Sequence, residues 1–215
     1  LEPNPGFKLG LGMLRKAVFA MMYGDIIVNV ANQVRPYEVT PGQTDETIEQ
    51  CMSWLLEEFS QGRGMNFKSM TANFDRITAA FKAIPVQGEP KVRVGVVGEI
   101  YVKYSKLGNN DLEKFLESQD CEVNLPGLMG FVEYCVANYK LDIDLYGGNK
   151  LVAGGADAFL SWLDGIGCAS YDAMRKYGFY APGSFRELMK KPEGIISLGA
   201  KMGEGWLLTA EMIEL

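Results

Sequence analysis

The residues best placed to do chemistry stand where a short β-branched run, Lys91-Val92-Arg93-Val94-Gly95-Val96-Val97-Gly98, gives way to Glu99-Ile100-Tyr101. In open α/β sheets, ligands bind beyond the carboxyl ends of strands, where loops meet helix N-termini. Glu99 and Tyr101, with Asn109 and Asn110 further on, are therefore the first candidates for a binding site. Asn110 also fits a plain helix cap, a role asparagine fills well, and Glu99 fits a solvated surface carboxylate. A second candidate is Gly203-Glu204-Gly205, where backbone N–H groups at a helix N-terminus could meet an anion. Glu204 could equally favour the helix dipole as an acidic first-turn residue.

Other chemistry is ruled out by residue type. The chain has no histidine, which removes Ser-His-Asp triads, Cys-His dyads and His-ligated zinc. The four cysteines, Cys51, Cys121, Cys135 and Cys168, include no C-x-x-C pair. Cys51 and Cys135 sit in apolar helical surroundings that suit small buried residues; Cys121 opens a strand, and Cys168 follows Gly165-Ile166-Gly167. No metal ligand set is expected from them. Gly95-Val96-Val97-Gly98 is neither G-x-G-x-x-G nor part of a G-x-x-x-x-G-K-[ST] loop. A net charge of −6, with Lys+Arg at 21 against Asp+Glu at 27, and no basic cluster beyond Lys190-Lys191 argue against nucleic acid. The apolar stretch from Leu9 to Val34 is broken by Arg15, Lys16, Asp25 and Asn29; without an unbroken apolar run it crosses a bilayer only at a cost, and it has no signal-peptide pattern. A cytoplasmic protein with reduced thiols is expected.

The elements that must position these residues are legible in the periodicity. Residues 1–10 are punctuated by Pro and Gly and read as loop, and residues 11–34 read as a helix closed by Arg35-Pro36. Thr40-Pro41-Gly42-Gln43 predicts a helix start with Thr40 as cap. Ile48, Cys51, Met52, Leu55, Leu56 and Phe59 then form one apolar face. A third helix carries Phe67, Met70, Phe74, Ile77, Phe81 and Ile84. After a linker at 85–90 come a strand ending at Gly98, a loop from Glu99 to Gly108, a helix capped by Asn110, and a strand Cys121–Leu125. The β-branched strands read as buried and parallel, and the unit as a right-handed βαβ crossover. Pro126-Gly127 opens a helix to about Tyr139; a longer one, weakened by Gly154-Gly155, Gly165 and Gly167, spans Asn149 to Lys176. Ser184-Phe185-Arg186-Glu187 has capping-box spacing, and a last helix runs to the end. The expected architecture is α/β and helix-rich: a helical subdomain over 1–86, then an α/β domain over 87–215 with a small parallel Rossmann- or flavodoxin-like sheet. The missing initial methionine and the apolar helical pattern at the C-terminus lead us to expect a segment cut from a longer chain.

With these elements placed, a resemblance emerges. Val92 to Val102, Asn109-Asn110-Asp111-Leu112-Glu113-Lys114-Phe115-Leu116-Glu117 and Cys121-Glu122-Val123 are similar to the core of the long CoA-substrate-specific enzyme activases, relatives of the 2-hydroxyacyl-CoA dehydratase activators. Pro3-Asn4-Pro5-Gly6-Phe7-Lys8, Arg35-Pro36-Tyr37-Glu38 and Gly203-Glu204-Gly205-Trp206-Leu207-Leu208-Thr209 with Glu211-Met212 resemble the same group. The resemblance implies an anaerobic system in which an actin-like ATPase with a [4Fe–4S] cluster passes a low-potential electron to a dehydratase acting on a 2-hydroxyacyl-CoA. It places the ATPase modules upstream and makes the βαβ unit the start of a dehydratase-type domain. Dehydratase subunits tend to carry a cluster cysteine just after the strand matching Cys121–Leu125. This chain has Leu125-Pro126-Gly127 there, and a Pro-Phe-Gly-Cys-Leu-Pro-like stretch would fall beyond Leu215, so no cluster ligand is assigned.

Three functional expectations follow. The first is a segment of that iron–sulfur, ATP-dependent system, a scaffold or active-site wall that is not catalytic alone, with the rest of a multidomain chain or a dehydratase subunit, and acyl-CoA, as its expected partners. The second is a stand-alone Rossmann-like module holding an anionic small molecule at the Glu99/Asn109 loop. The third is an assembly domain whose exposed apolar end, Trp206 to Ile213, pairs with a partner.

Overall fold

A computed structural model describes residues 10–215, so the Pro3–Lys8 stretch and the loop expected over the first residues lie outside the described part. Helix α1 (Leu11–Val34) is followed by a single 3-10 turn, Arg35–Tyr37, then α2 (Gln43–Ser60) and α3 (Phe67–Lys82). Strand β1 (Val92–Gly95) leads through three short helices, α4 (Ile100–Tyr104), α5 (Lys106–Asn109) and α6 (Leu112–Ser118), to β2 (Cys121–Asn124). Two long helices, α7 (Met129–Tyr146) and α8 (Lys150–Lys176), precede the short α9 (Phe185–Leu188) and the closing α10 (Gly205–Glu214). Among the described residues the protein is helix-rich α/β with a two-stranded parallel sheet, in register Val92–Cys121, Arg93–Glu122, Val94–Val123 and Gly95–Asn124.

Three apolar clusters hold these elements. The largest joins α1, α2 and α3 to Met129 of α7 and to Leu163, Ile166, Ala173 and Met174 of α8, and so draws on both sides of the linker at 85–90. The second surrounds the fully buried Trp206, with Tyr134, Leu160, Phe185 and Leu207. The third is small: Val96, Val123 and Leu125 seat the sheet against Tyr104, Leu112 and Leu116. Trp206 and Leu207 are thus core anchors; of the apolar end expected to be exposed, Met212 and Ile213 are the exposed members. Helix α1 lies at the centre. Residues Gly12–Tyr37 are long and apolar enough to cross a membrane by composition, but more than half of their most apolar stretch is buried inside the fold.

Several expectations are corrected by local physics. Strand β1 is not buried: Val92, Arg93 and Gly95 are exposed and Val94 is half-buried, so β2 alone carries the sheet's inward side. The segment expected as a loop from Glu99 to Gly108 forms α4 and α5. Helix α2 is capped from a distance: Glu38 accepts from the Gly42 and Thr44 amides at 2.6 and 2.7 Å, while Gly42 takes a left-handed conformation (φ 89°) that ends the turn. Two carboxylate oxygens answer two orphan amides, so the Thr40 cap is not needed. The buried stripe of α2 is Thr44, Thr47, Cys51 and Leu55, leaving Met52 and Leu56 exposed. Asn109, not Asn110, caps α6, its Oδ1 accepting from Leu112 N at 3.3 Å. The capping box at Ser184 and Glu187 is present as expected.

Candidate functional site

The sequence-predicted residues fall into two groups. Glu99, Tyr101 and Glu204 meet at the start of α4. Glu204 accepts from Ile100 N at 2.9 Å and Glu99 from Tyr101 N at 3.0 Å, so two of the amides open to an anion there are held by the protein's own carboxylates. Tyr101 is exposed, its ring lying against Gly108. Asn109 and Asn110 stand apart, at the far end of α5. Asn109 spends its side chain on Leu112 N and Lys103 O, and Asn110, exposed, takes the left-handed conformation that ends α5. Glu204 is itself left-handed (φ 61°) and buried, and its Oε2 has no partner. A non-glycine residue held there is strained.

An enclosed space lies elsewhere, beyond the carboxyl end of β2. A cavity of about 80 Å³ is walled by Asp25 and Asn29 of α1, Asn124 at the end of β2, Pro126 and Gly127 after it, Glu133 of α7, Ser170 and Tyr171 of α8, and Glu211 and Glu214 of α10. Its place obeys the rule that ligands sit outside strand C-termini in parallel sheets. Across Asp25, Asn29, Pro126 and Gly127, which line both spaces, runs an open groove of about 600 Å³ between α1 and α6, edged by Arg35, Lys106 and Lys114 among several acids.

Asp25 fixes the cavity's floor. Its Oδ1 accepts from Leu128 N and its Oδ2 from Met129 N, both at 2.8 Å, so a carboxylate from the middle of α1 caps the N-terminus of α7. Helix N-termini attract anions; here the anion is internal. Burial pushes the Asp25 carboxyl up to about 6 even though the two amides and Lys103 pull it down. The fit is tight, because a Cβ at Gly127 would stand 2.6 Å from Asp25 Oδ2.

Glu133 is different. It is 7% exposed, and its Oε1 has no hydrogen-bond partner. Burial, then repulsion from Asp164 and Asp25, pushes its carboxyl up to about 8, so at neutral pH it holds a proton. Burial also raises the Tyr171 phenol, with Glu133 and Asp25 adding to it. The remaining acids are engaged. Glu211 forms a buried ion pair with Lys103 at 2.7 Å, though burial outweighs the lysine and raises its carboxyl. Glu214 accepts from Gly183 N at 3.1 Å and lies 3.5 Å from Lys191.

Sequence reasoning noticed Asp25 and Asn29 only as interruptions of an apolar helix, and passed over Glu133 between Val132 and Tyr134. A charged residue inside an apolar helical run is the signal that could have found both, since such residues are rarely buried without a reason.

The cysteines do not converge. Cys51 is buried in the core, Cys121 and Cys168 are half-buried, and Cys135, expected to be buried, is exposed on α7. Among the described residues no three His, Cys, Asp or Glu side chains lie close enough to hold a metal ion, so these thiols do not fit an iron–sulfur cluster. No family model, no curated protein and no solved structure matches this chain.

Proposed function

We propose that this chain is a ligand-holding α/β module whose cavity beyond β2 takes a small polar molecule. The observation that carries this reading is the Glu133 carboxyl, buried against an enclosed space with an oxygen that nothing satisfies. Leaving a buried polar atom unpaired costs about 1–3 kcal/mol, and a ligand supplying the missing partner would recover it. The groove across Asp25 offers an approach. The test is a ligand-observed NMR screen of small polar molecules against the wild-type chain and Ser170→Leu, which fills the cavity from a buried wall position. Hits that Ser170→Leu abolishes support the reading. A blank screen, or hits indifferent to the substitution, would contradict it.

A second reading is that the module forms an active-site wall or scaffold in an iron–sulfur, ATP-dependent 2-hydroxyacyl-CoA dehydratase or activase system of the cytoplasm, its sheet the start of a Rossmann- or flavodoxin-like domain. What favours it is how the resembling segments touch. Arg35 pairs with Glu117 at 3.0 Å, Tyr37 donates to Glu122 at 2.8 Å, and Ile100 N donates to Glu204. In this reading those motifs fasten the sheet to the helices, and the cluster and ATP are held by other parts of the system. Anaerobic iron–sulfide reconstitution of the chain should leave it colourless; visible cluster absorption would sink this reading.

A further inference from the structure

The chemistry of the cavity selects among ligands. Four carboxyl side chains from three helices line it: Asp25, Glu133, Glu211 and Glu214. The lysines nearest to them, Lys103 and Lys191, are already paired with Glu211 and Glu214. The amides at the start of α7 are taken by Asp25. An anionic ligand would find acids and no free positive group among the described residues that line the cavity. A metal ion is a poor match, since no three of the described acids stand close enough to share one. An organic cation brings its own hydrogen-bond donors and needs only one free acceptor, and Glu133 Oε1 is free. Aromatic walls from Phe74, Tyr171 and Phe185 suit a cation as well. A volume of about 80 Å³ corresponds to roughly two or three waters at ~30 Å³ each, which sets the scale at a few heavy atoms.

We propose that this cavity binds a small organic cation, an ammonium or the amino head of a short primary amine, seated against the Glu133 carboxyl. The inference rests on the cavity being a ligand site, as argued above. It carries a proton balance. Glu133 is faced by Asp25 from α1, Asp164 and Tyr171 from α8, and Glu211 with Glu214 from α10; Lys103 of α4 and Tyr104 stand behind Asp25 and Glu211, and Tyr180 borders the cavity from the segment before α9. In this acidic setting the free protein keeps Glu133 protonated up to about pH 8. A bound ammonium reverses the local field, so the Glu133 proton leaves to solvent as the cation enters. The N–H groups of the cation then donate to the freed carboxylate.

The test is isothermal titration of the full chain with methylammonium chloride between about pH 6 and about pH 9, in buffers of different ionisation enthalpy, with acetamide and acetate as neutral and anionic controls. Methylammonium should bind one to one; below about pH 8 its affinity should fall about tenfold per pH unit with about one proton released per cation bound, and above that pH the release should fade as the free carboxyl is already ionised. Acetate should not bind. Glu133→Gln should weaken methylammonium at least about tenfold at the upper end of that pH range and abolish the proton release. If acetamide binds and methylammonium does not, the cavity remains a ligand site and the cation inference is overturned. If no probe binds, both fail. Should Glu133→Gln not fold, carbon-13 NMR of the Glu133 carboxyl in the wild type decides. Saturating methylammonium must lower its titration midpoint by more than about one pH unit, and an unmoved midpoint overturns the proposal.

Discussion

Two side chains, Asp25 and Glu133, explain most of the cavity's behaviour, and they differ only in what surrounds them. Asp25 is half-buried and answered by two amides; Glu133 is buried and left with a free oxygen. Gly127 tests the first arrangement. A methyl group at that position meets Asp25 at contact distances no side chain tolerates, so Gly127→Ala must push the carboxylate off the α7 amides. We expect a loss of about 1–3 kcal/mol in chemical denaturation, the cost of unmaking buried hydrogen bonds, and a much smaller loss when the same change is made in an Asp25→Ala background. Equal losses in both backgrounds would show that the glycine matters for another reason. Residue roles were only partly legible in the sequence. Glu99, Tyr101 and Glu204 were singled out and do meet, but because carboxylates cap a helix there. Asn109 and Asn110 both read as binding candidates, with Asn110 also fitting the cap, whereas Asn109 makes the capping bond. A one-residue shift of that kind is set by which asparagine adopts the left-handed conformation, which composition does not encode.

At the scale of elements, the periodic helices were read well. Helix α1 and the long α8 appear within a residue of their expected bounds, and the parallel pairing of the two strands is observed. Long apolar periodicity survives tertiary context because packing reinforces it. The misreadings concern short elements. The segment after β1 looked irregular because α4 and α5 take their caps from Glu99, Glu204 and Ser105, contacts partly remote in sequence. Strand β1 looked buried because its residues are β-branched, although its outer side faces solvent. Helix α8 carries an avoidable cost. Gly154, Gly155 and Gly165 are exposed, and a Cβ at any of them meets nothing within 4 Å. Each Gly→Ala substitution should stabilise the protein by about 0.5–1 kcal/mol, read as a higher denaturant midpoint with an unchanged slope. A destabilising effect would mean that these positions serve a contact outside the chain.

For the whole molecule, the buried acids dictate an unusual response to pH. Glu133 moves from its ordinary 4.5 to about 8 on folding, and Asp25 from 3.8 to about 6. Both values rise, so the folded state keeps protons that the unfolded chain surrenders, and stability falls as pH climbs from the unfolded to the folded values. The protein should be most stable in mildly acid solution and lose several kcal/mol, on the order of one per pH unit for each titrating group, between about pH 5 and about pH 8. Glu133→Gln, which cannot ionise, should flatten the upper part of that decline and exceed the wild type in stability at about pH 8. Denaturation curves collected across this range check both statements, and a wild type that gains stability through the same range would contradict them. Nothing in overall composition announces this, because a net charge of −6 is compatible with every acid being solvated; the effect arises only when helices α1, α7, α8 and α10 close around the end of β2.

A ligand site in this cavity requires Glu133 to be an acid enclosed without a partner. Site-resolved carbon-13 NMR of the glutamate carboxyls through a pH titration observes it directly. A Glu133 midpoint near 8 is expected, far above the ordinary 4.5; a midpoint at the ordinary glutamate value would show a solvated or satisfied side chain and remove the basis for a ligand in this cavity.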